Sequence, residues 1–166
     1  MLEVLGGLFL GSIASGLIPV INSELLVVGA AVLLPPGAAL LVAIVAATGQ
    51  MLAKLGLYGA ARWAPAYLPE RAKKKLATAG GKLQKNGAAV YLLLLVSASA
   101  GWPPFYGISL LAGALRINFA AFASLGLVGR FVRFGILAWG AQAVGQEALE
   151  RVAVAWTGGV SSMLGG

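Results

Sequence analysis

The sequence predicts an all-α integral membrane protein in which two re-entrant (broken) helical hairpins, each followed by a long transmembrane helix, form an inverted repeat. Three observations lead there. Of the 166 residues 60% are hydrophobic and only 10% charged, against roughly 25% charged in a soluble domain. Two apolar runs, Ala38 to Trp63 and Phe119 to Val144, exceed the ~20 residues that cross a bilayer. Each run is preceded by an apolar segment interrupted at proline. The expected organisation is a single membrane domain: a first repeat over 1–63, a basic loop over 64–86, a second repeat over 87–145 and a short C-terminal tail over 146–166.

Val4 to Leu17 is apolar and rich in Gly and Ser; Pro19 and Asn22-Ser23 then interrupt it, and Leu25 to Leu34 continues until Pro35-Pro36. Neither piece is comfortable as a full span. Together they suggest a hairpin that enters and leaves on one side, or one short span followed by a half-helix. Broken backbone at membrane depth is tolerated where protein or a water-filled cavity covers it. The N-terminus lacks a positive n-region, its first charge being Glu3, so it reads as retained rather than as a signal peptide.

Ala38 to Trp63 would be about 39 Å long as a helix against a hydrocarbon core of about 30 Å, so tilt is expected. Gly56 and Gly59 on this run suit close helix packing. Seven of the twelve basic residues then fall between Arg62 and Lys85. Within that loop Ala72, Leu76, Ala79 and Leu83 recur at helical spacing from Glu70 onward, which suggests a basic helix on an anionic inner leaflet. Nucleic-acid binding is the competing reading of such a cluster. In a membrane chain, a cytoplasmic loop obeying the positive-inside rule is the better one. It places 62–85 in the cytoplasm and a multi-pass chain in the cell (inner) membrane.

Gly87 to Ala100 is apolar again, Gly101-Trp102-Pro103-Pro104 breaks it, and Phe105 to Leu115 continues. Asn118 is placed to cap the last span, which carries Arg130 and Arg133. The residues beyond it suggest a short interfacial helix. With the basic loop inside, the two hairpins open from opposite sides, the arrangement from which transporters build a midplane site.

The chain has no His, Cys or Asp and only five carboxylates. Zinc, haem and iron–sulfur centres and Cys or Ser–His nucleophiles fall away. No metal, no cofactor and no enzymatic activity are expected.

Glu24 is the only charged residue between Val4 and Ala53. A charge at a helix centre costs roughly 2.5–3.5 kcal/mol on insertion scales. With Asn22 or Ser23 as cap, a negative charge in the first turn recovers only about 0.3–1 kcal/mol. Glu24 therefore reads as a proton or headgroup contact, or as the partner of Lys54, Arg130 or Arg133. These three cations, all inside spans, suit a lipid phosphate; internal charge balance with snorkelling is the alternative. One carboxylate against three cations leaves a charge of +2 if the four converge. Pro19, Pro103 and Pro104 mark the breaks, where backbone groups are exposed to a substrate or a hairpin merely turns. Freed N–H groups near Asn22 and Ser23 would help hold a headgroup.

Pro19-Val20-Ile21-Asn22-Ser23-Glu24-Leu25-Leu26-Val27 resembles the Pro…Ser-Glu-hydrophobic motif of the DedA superfamily. That group is also called the VTT or SNARE-associated Golgi protein family, and the chain is most similar to its small YqaA-like branch. Thr48-Gly49-Gln50 through Gly59, Lys82-Leu83-Gln84-Lys85-Asn86-Gly87-Ala88, Leu111-Ala112-Gly113-Ala114-Leu115-Arg116-Ile117 and Gly129-Arg130-Phe131-Val132-Arg133-Phe134 extend the resemblance over roughly residues 8 to 142. It implies two re-entrant hairpins meeting in the bilayer. It also implies translocation (flipping or scrambling) of an anionic lipid such as undecaprenyl phosphate or a phospholipid, proton dependence having been proposed for some members. The implied partners are membrane lipids with anionic headgroups and no nucleic acid; assembly with a second copy stays open. The chain departs from the family in one place. Many members carry paired arginines around the second break, whereas Val96 to Phe105 has none. A proton-coupled exporter of small solutes and a non-transporting membrane scaffold remain alternative readings.

Overall fold

The computed structural model describes residues 1–18, 20–63, 70, 71, 74, 78 and 87–164. Pro19 and nearly all of the expected basic helix of the 64–86 loop lie outside the described residues. Six helices are described: α1 (Leu2–Leu17), α2 (Ser23–Leu33), α3 (Ala39–Trp63), α4 (Gly87–Ala100), α5 (Phe105–Ala114) and α6 (Phe119–Leu164). No strand occurs among the described residues. α3 and the Phe119–Gly145 portion of α6 are long and apolar enough to cross a membrane.

Local chemistry sets the helix ends. Asn22 caps α2, its side-chain oxygen accepting from the N–H of Glu24 at 2.8 Å and of Leu25 at 3.4 Å. Helix α2 stops just before Pro35-Pro36, as residues preceding proline are pushed out of the α region. Between α4 and α5, Gly101 takes φ +78° and the Trp102–Pro103 peptide is cis. Pro104 then occupies the cap of α5. Asn118 caps α6 by accepting from the N–H of Ala121 at 3.1 Å.

One boundary differs from the expectation. α6 continues through residue 145 to Leu164, with no separate tail helix. No proline follows Pro104, and a glycine such as Gly145 costs a helix only about 1 kcal/mol. The succeeding Gln146-Glu147-Ala148-Leu149-Glu150-Arg151 are good helix formers that carry the helix on.

The packing pairs are regular. α1 runs parallel to α3: a Cβ at Gly49 would lie 2.7 Å from the Phe9 carbonyl oxygen, and one at Gly16 2.5 Å from Ala53 Cβ. α4 runs parallel to α6 in the same manner, Ala98 meeting Gly129 and Gly101 meeting Arg133. The second member of each short pair crosses to the other long helix. α2 follows α6 from the Glu24–Arg133 contact to Gln142, whose side-chain amide donates to the carbonyls of Ala31 and Pro35. α5 follows α3 from Tyr106 beside Lys54 to Gly113 against the Tyr58 carbonyl. α3 and α6 themselves are antiparallel, with Met51 near Gly126 and the ring of Tyr58 stacked on Phe122 at 4.8 Å.

The glycines that permit these approaches are Gly16, Gly49, Gly113 and Gly129, not Gly56 and Gly59 as the sequence suggested. α1 ends beside Ala53, so nothing stands within 4 Å of a Cβ at Gly56. A Cβ at Gly59 would meet only Trp63 of its own helix.

Two apolar clusters result. One takes Ala39 to Ala47 of α3 with Val27, Ala30, Ala31, Phe134 and Ala138. The other takes Met51 and Tyr58 with Leu94, Phe105, Ala112 and Phe122. Gln50 and Arg130 fall in the gap between the clusters on α3 and on α6.

Candidate functional site

A cavity of about 420 Å³ opens at that gap. It is walled by the start of α2 (Asn22, Ser23, Glu24), the start of α5 (Pro104, Tyr106), Gln50 and Lys54 of α3, and Arg130 and Arg133 of α6. All six residues expected to bind substrate or protons, Glu24, Asn22, Ser23, Lys54, Arg130 and Arg133, therefore line one space. Of the break residues, Pro104 lines it too. Pro103 stands just outside and accepts a hydrogen bond from Ser97 Oγ at 2.5 Å.

Each charge is held differently. Glu24, in the first turn of α2, forms an ion pair with Arg133; their side chains are 41% and 26% exposed, so the pair remains open to the cavity. The Arg133 guanidinium also occupies the place where a side chain on residue 101 would stand, which with φ +78° makes glycine the fitting residue there. Lys54, 6% exposed, donates to the Gly16 carbonyl at 2.6 Å. This is one of the last carbonyls of α1, at the negative end of its dipole. Lys54 Nζ also lies 5.1 Å from the centre of the Tyr106 ring, within reach of a cation–π interaction.

Arg130 is 3% exposed. Its Nε donates to Gln50 Oε1 at 2.6 Å, its Nη1 has only 3.4 Å contacts with Met51 Sδ and the Gly126 carbonyl, and its plane covers Phe105 at 4.1 Å. Among the described residues no carboxylate pairs with Lys54 or Arg130. Three cations against Glu24 leave the cavity wall with a formal charge of +2.

The two helix starts contribute unequally. The expectation of freed N–H groups near Asn22 and Ser23 is corrected, because the Asn22 side chain already takes those of Glu24 and Leu25. At α5, Pro104 supplies no side-chain cap. The N–H groups of Phe105 and Tyr106 have no partner among the described residues and stand at the positive end of that helix dipole, a favourable place for an anion.

Gln50, Ser15, Ser97 and Tyr106 line the cavity without having been among the expected site residues. Gln50 has a usable signal: it sits four residues before Lys54 on a largely apolar helix, hence on the same face. Ser15 and Ser97, each in the last turn before a break, carry no signal that separates them from other helix serines. Among the described residues no three His, Cys, Asp or Glu side chains come together to hold a metal. No known family, characterised protein or solved structure matches the chain.

Proposed function

We propose that the chain is a multi-pass protein of the bacterial inner membrane, of the DedA type, that translocates lipids with an anionic headgroup between two re-entrant hairpins. The observation that carries this reading is the +2 cavity at mid-span. Met51 is the central residue of the 25-residue α3, so Gln50 and Lys54 lie within about 5 Å of its midpoint at 1.5 Å per residue. The apolar part of α6, Phe119–Gly145, has its centre at Val132, between Arg130 and Arg133. Charges at that depth are costly and mark substrate or ion pathways.

Two further features support the reading. The two halves pack alike, α2 onto α6 and α5 onto α3, which supports an inverted repeat with facing broken hairpins. Arg133 also brings a guanidinium against Gly101, so a cation stands at the second break although Val96 to Phe105 contains no arginine. In this mechanism Arg130, Arg133 and Lys54 attract the headgroup phosphate. The open N–H groups of α5 add to the attraction, and Glu24 releases Arg133 to the phosphate and takes up a proton in its place. A proton-coupled exporter of small anionic solutes is the second reading, favoured by the polar lining of the cavity.

The test is translocation of fluorescent phosphatidylglycerol in phosphatidylcholine proteoliposomes by the wild type, Glu24→Gln, Arg130→Ala and Arg133→Ala. Loss in the arginine variants is expected. Translocation unchanged in all three variants rejects the site, and solute-driven proton flux independent of lipid composition transfers the assignment to the exporter.

A further inference from the structure

Arg130 is nearly sealed in protein, and a buried guanidinium is normally matched by a carboxylate. Here the group in that position is Gln50, whose Oε1 accepts from Arg130 Nε at 2.6 Å. Glutamate has the same shape and would place a carboxylate oxygen on the same nitrogen. The amide is oriented by a directed chain. Ser15 Oγ donates to the Ser12 carbonyl at 2.9 Å and so has only acceptor capacity left. Gln50 Nε2 donates to that oxygen at 3.4 Å, which turns Oε1 toward Arg130. With Nε held by Gln50 and Nη1 beside Met51 and Gly126, Nη2 is left without a partner among the described residues, in a side chain that lines the cavity.

We infer that Gln50 is a specificity-determining residue: a neutral stand-in for the expected carboxylate that orients Arg130 while leaving its charge for an anionic ligand. This rests on the anion-translocation reading above and extends it to a residue that touches the arginine rather than carrying charge itself. The cavity wall has three cations and one carboxylate; a second carboxylate at 50 would reduce the excess from +2 to +1 and give Arg130 a permanent partner. Ser15 can turn its proton from the Ser12 carbonyl to that carboxylate, so the fold has a way to accept the change. Stability and function therefore separate. Gln50→Glu pairs a buried cation and strengthens the fold, while it removes the unmatched charge that draws an anion.

The experiment compares wild type, Gln50→Glu, Gln50→Met and Arg130→Ala. It measures translocation of fluorescent phosphatidylglycerol in phosphatidylcholine proteoliposomes and thermal unfolding in detergent. Gln50→Glu is expected to slow translocation about tenfold or more, the equivalent of one lost charge interaction, with a melting temperature at or above that of the wild type. Gln50→Met loses the hydrogen bond but adds no charge, and its translocation is expected to fall less. Equal losses in the two Gln50 variants, or a lower melting temperature for Gln50→Glu, make Gln50 a structural residue and overturn the inference. Impaired Arg130→Ala beside an unimpaired Gln50→Glu also overturns it while leaving transport intact. A wild type that moves no lipid, or an Arg130→Ala that matches it, sinks the transport reading itself.

Discussion

Replacing Glu24 by Gln keeps the shape of the side chain and removes the charge that faces Arg133. The cost follows from where the pair sits. Exposed ion pairs contribute about 0.2–1 kcal/mol, whereas breaking a buried one costs about 3–5 kcal/mol because a charge is left unmatched. The side chains of Arg133 and Glu24 are 26% and 41% exposed, so this pair belongs between the two, at about 1–2 kcal/mol. A double-mutant cycle isolates that term: wild type, Glu24→Gln, Arg133→Gln and the double variant, unfolded in detergent and followed by circular dichroism. The double variant should lose less than the sum of the single variants by about 1–2 kcal/mol. Additivity within about 0.3 kcal/mol, the usual limit for residues that do not interact, would refute the argument that α6 holds the start of α2 through this contact.

Four other outcomes are expected from the packing and the caps. Gly113→Ala drives a Cβ into the Tyr58 carbonyl and Ala61, and should destabilise by about 1–3 kcal/mol. Gly56→Ala meets open space and should stabilise by about 0.5–1 kcal/mol; paired detergent melts read both signs. Gln142→Ala removes the acceptor of the Gly37 N–H and the donor to the Ala31 and Pro35 carbonyls. It should cost about 1–3 kcal/mol and speed amide exchange at Gly37 over that at Val42. Asn22→Ala uncaps α2 at a cost of about 0.5–2 kcal/mol, while Asn22→Asp should hold the melting temperature of the wild type; equal losses would show that the cap is not the reason.

Local signals in the chain were enough for much of the fold. Pro35-Pro36 and Gly101-Trp102-Pro103-Pro104 end helices wherever they occur, because proline lacks the N–H and constrains the residue before it. Asn22 and Asn118 cap because a short side-chain oxygen reaches the first free N–H groups. The end of α6 was not legible: Gly145 is a weak breaker, and the helix continued through it. The close-packing glycines are not legible for a different reason. Gly49 and Gly56 look alike in sequence, and only the length of α1 leaves one covered and the other open.

What the sequence alone determined was the set of costly groups: a carboxylate and three cations placed in apolar segments, next to proline breaks. That inventory is a property of composition and spacing. The pairing was decided by tertiary structure. Glu24 is distant from Lys54, Arg130 and Arg133 in the chain, and any of them had the charge to be its partner. The parallel run of α2 along α6 brings it to Arg133, while the end of α1 offers Lys54 a carbonyl instead. Arg130 is left with Gln50, a residue whose part depends on what stands opposite it. Charge says which groups need a partner; the crossing of helices far apart in the chain says which partner each one finds.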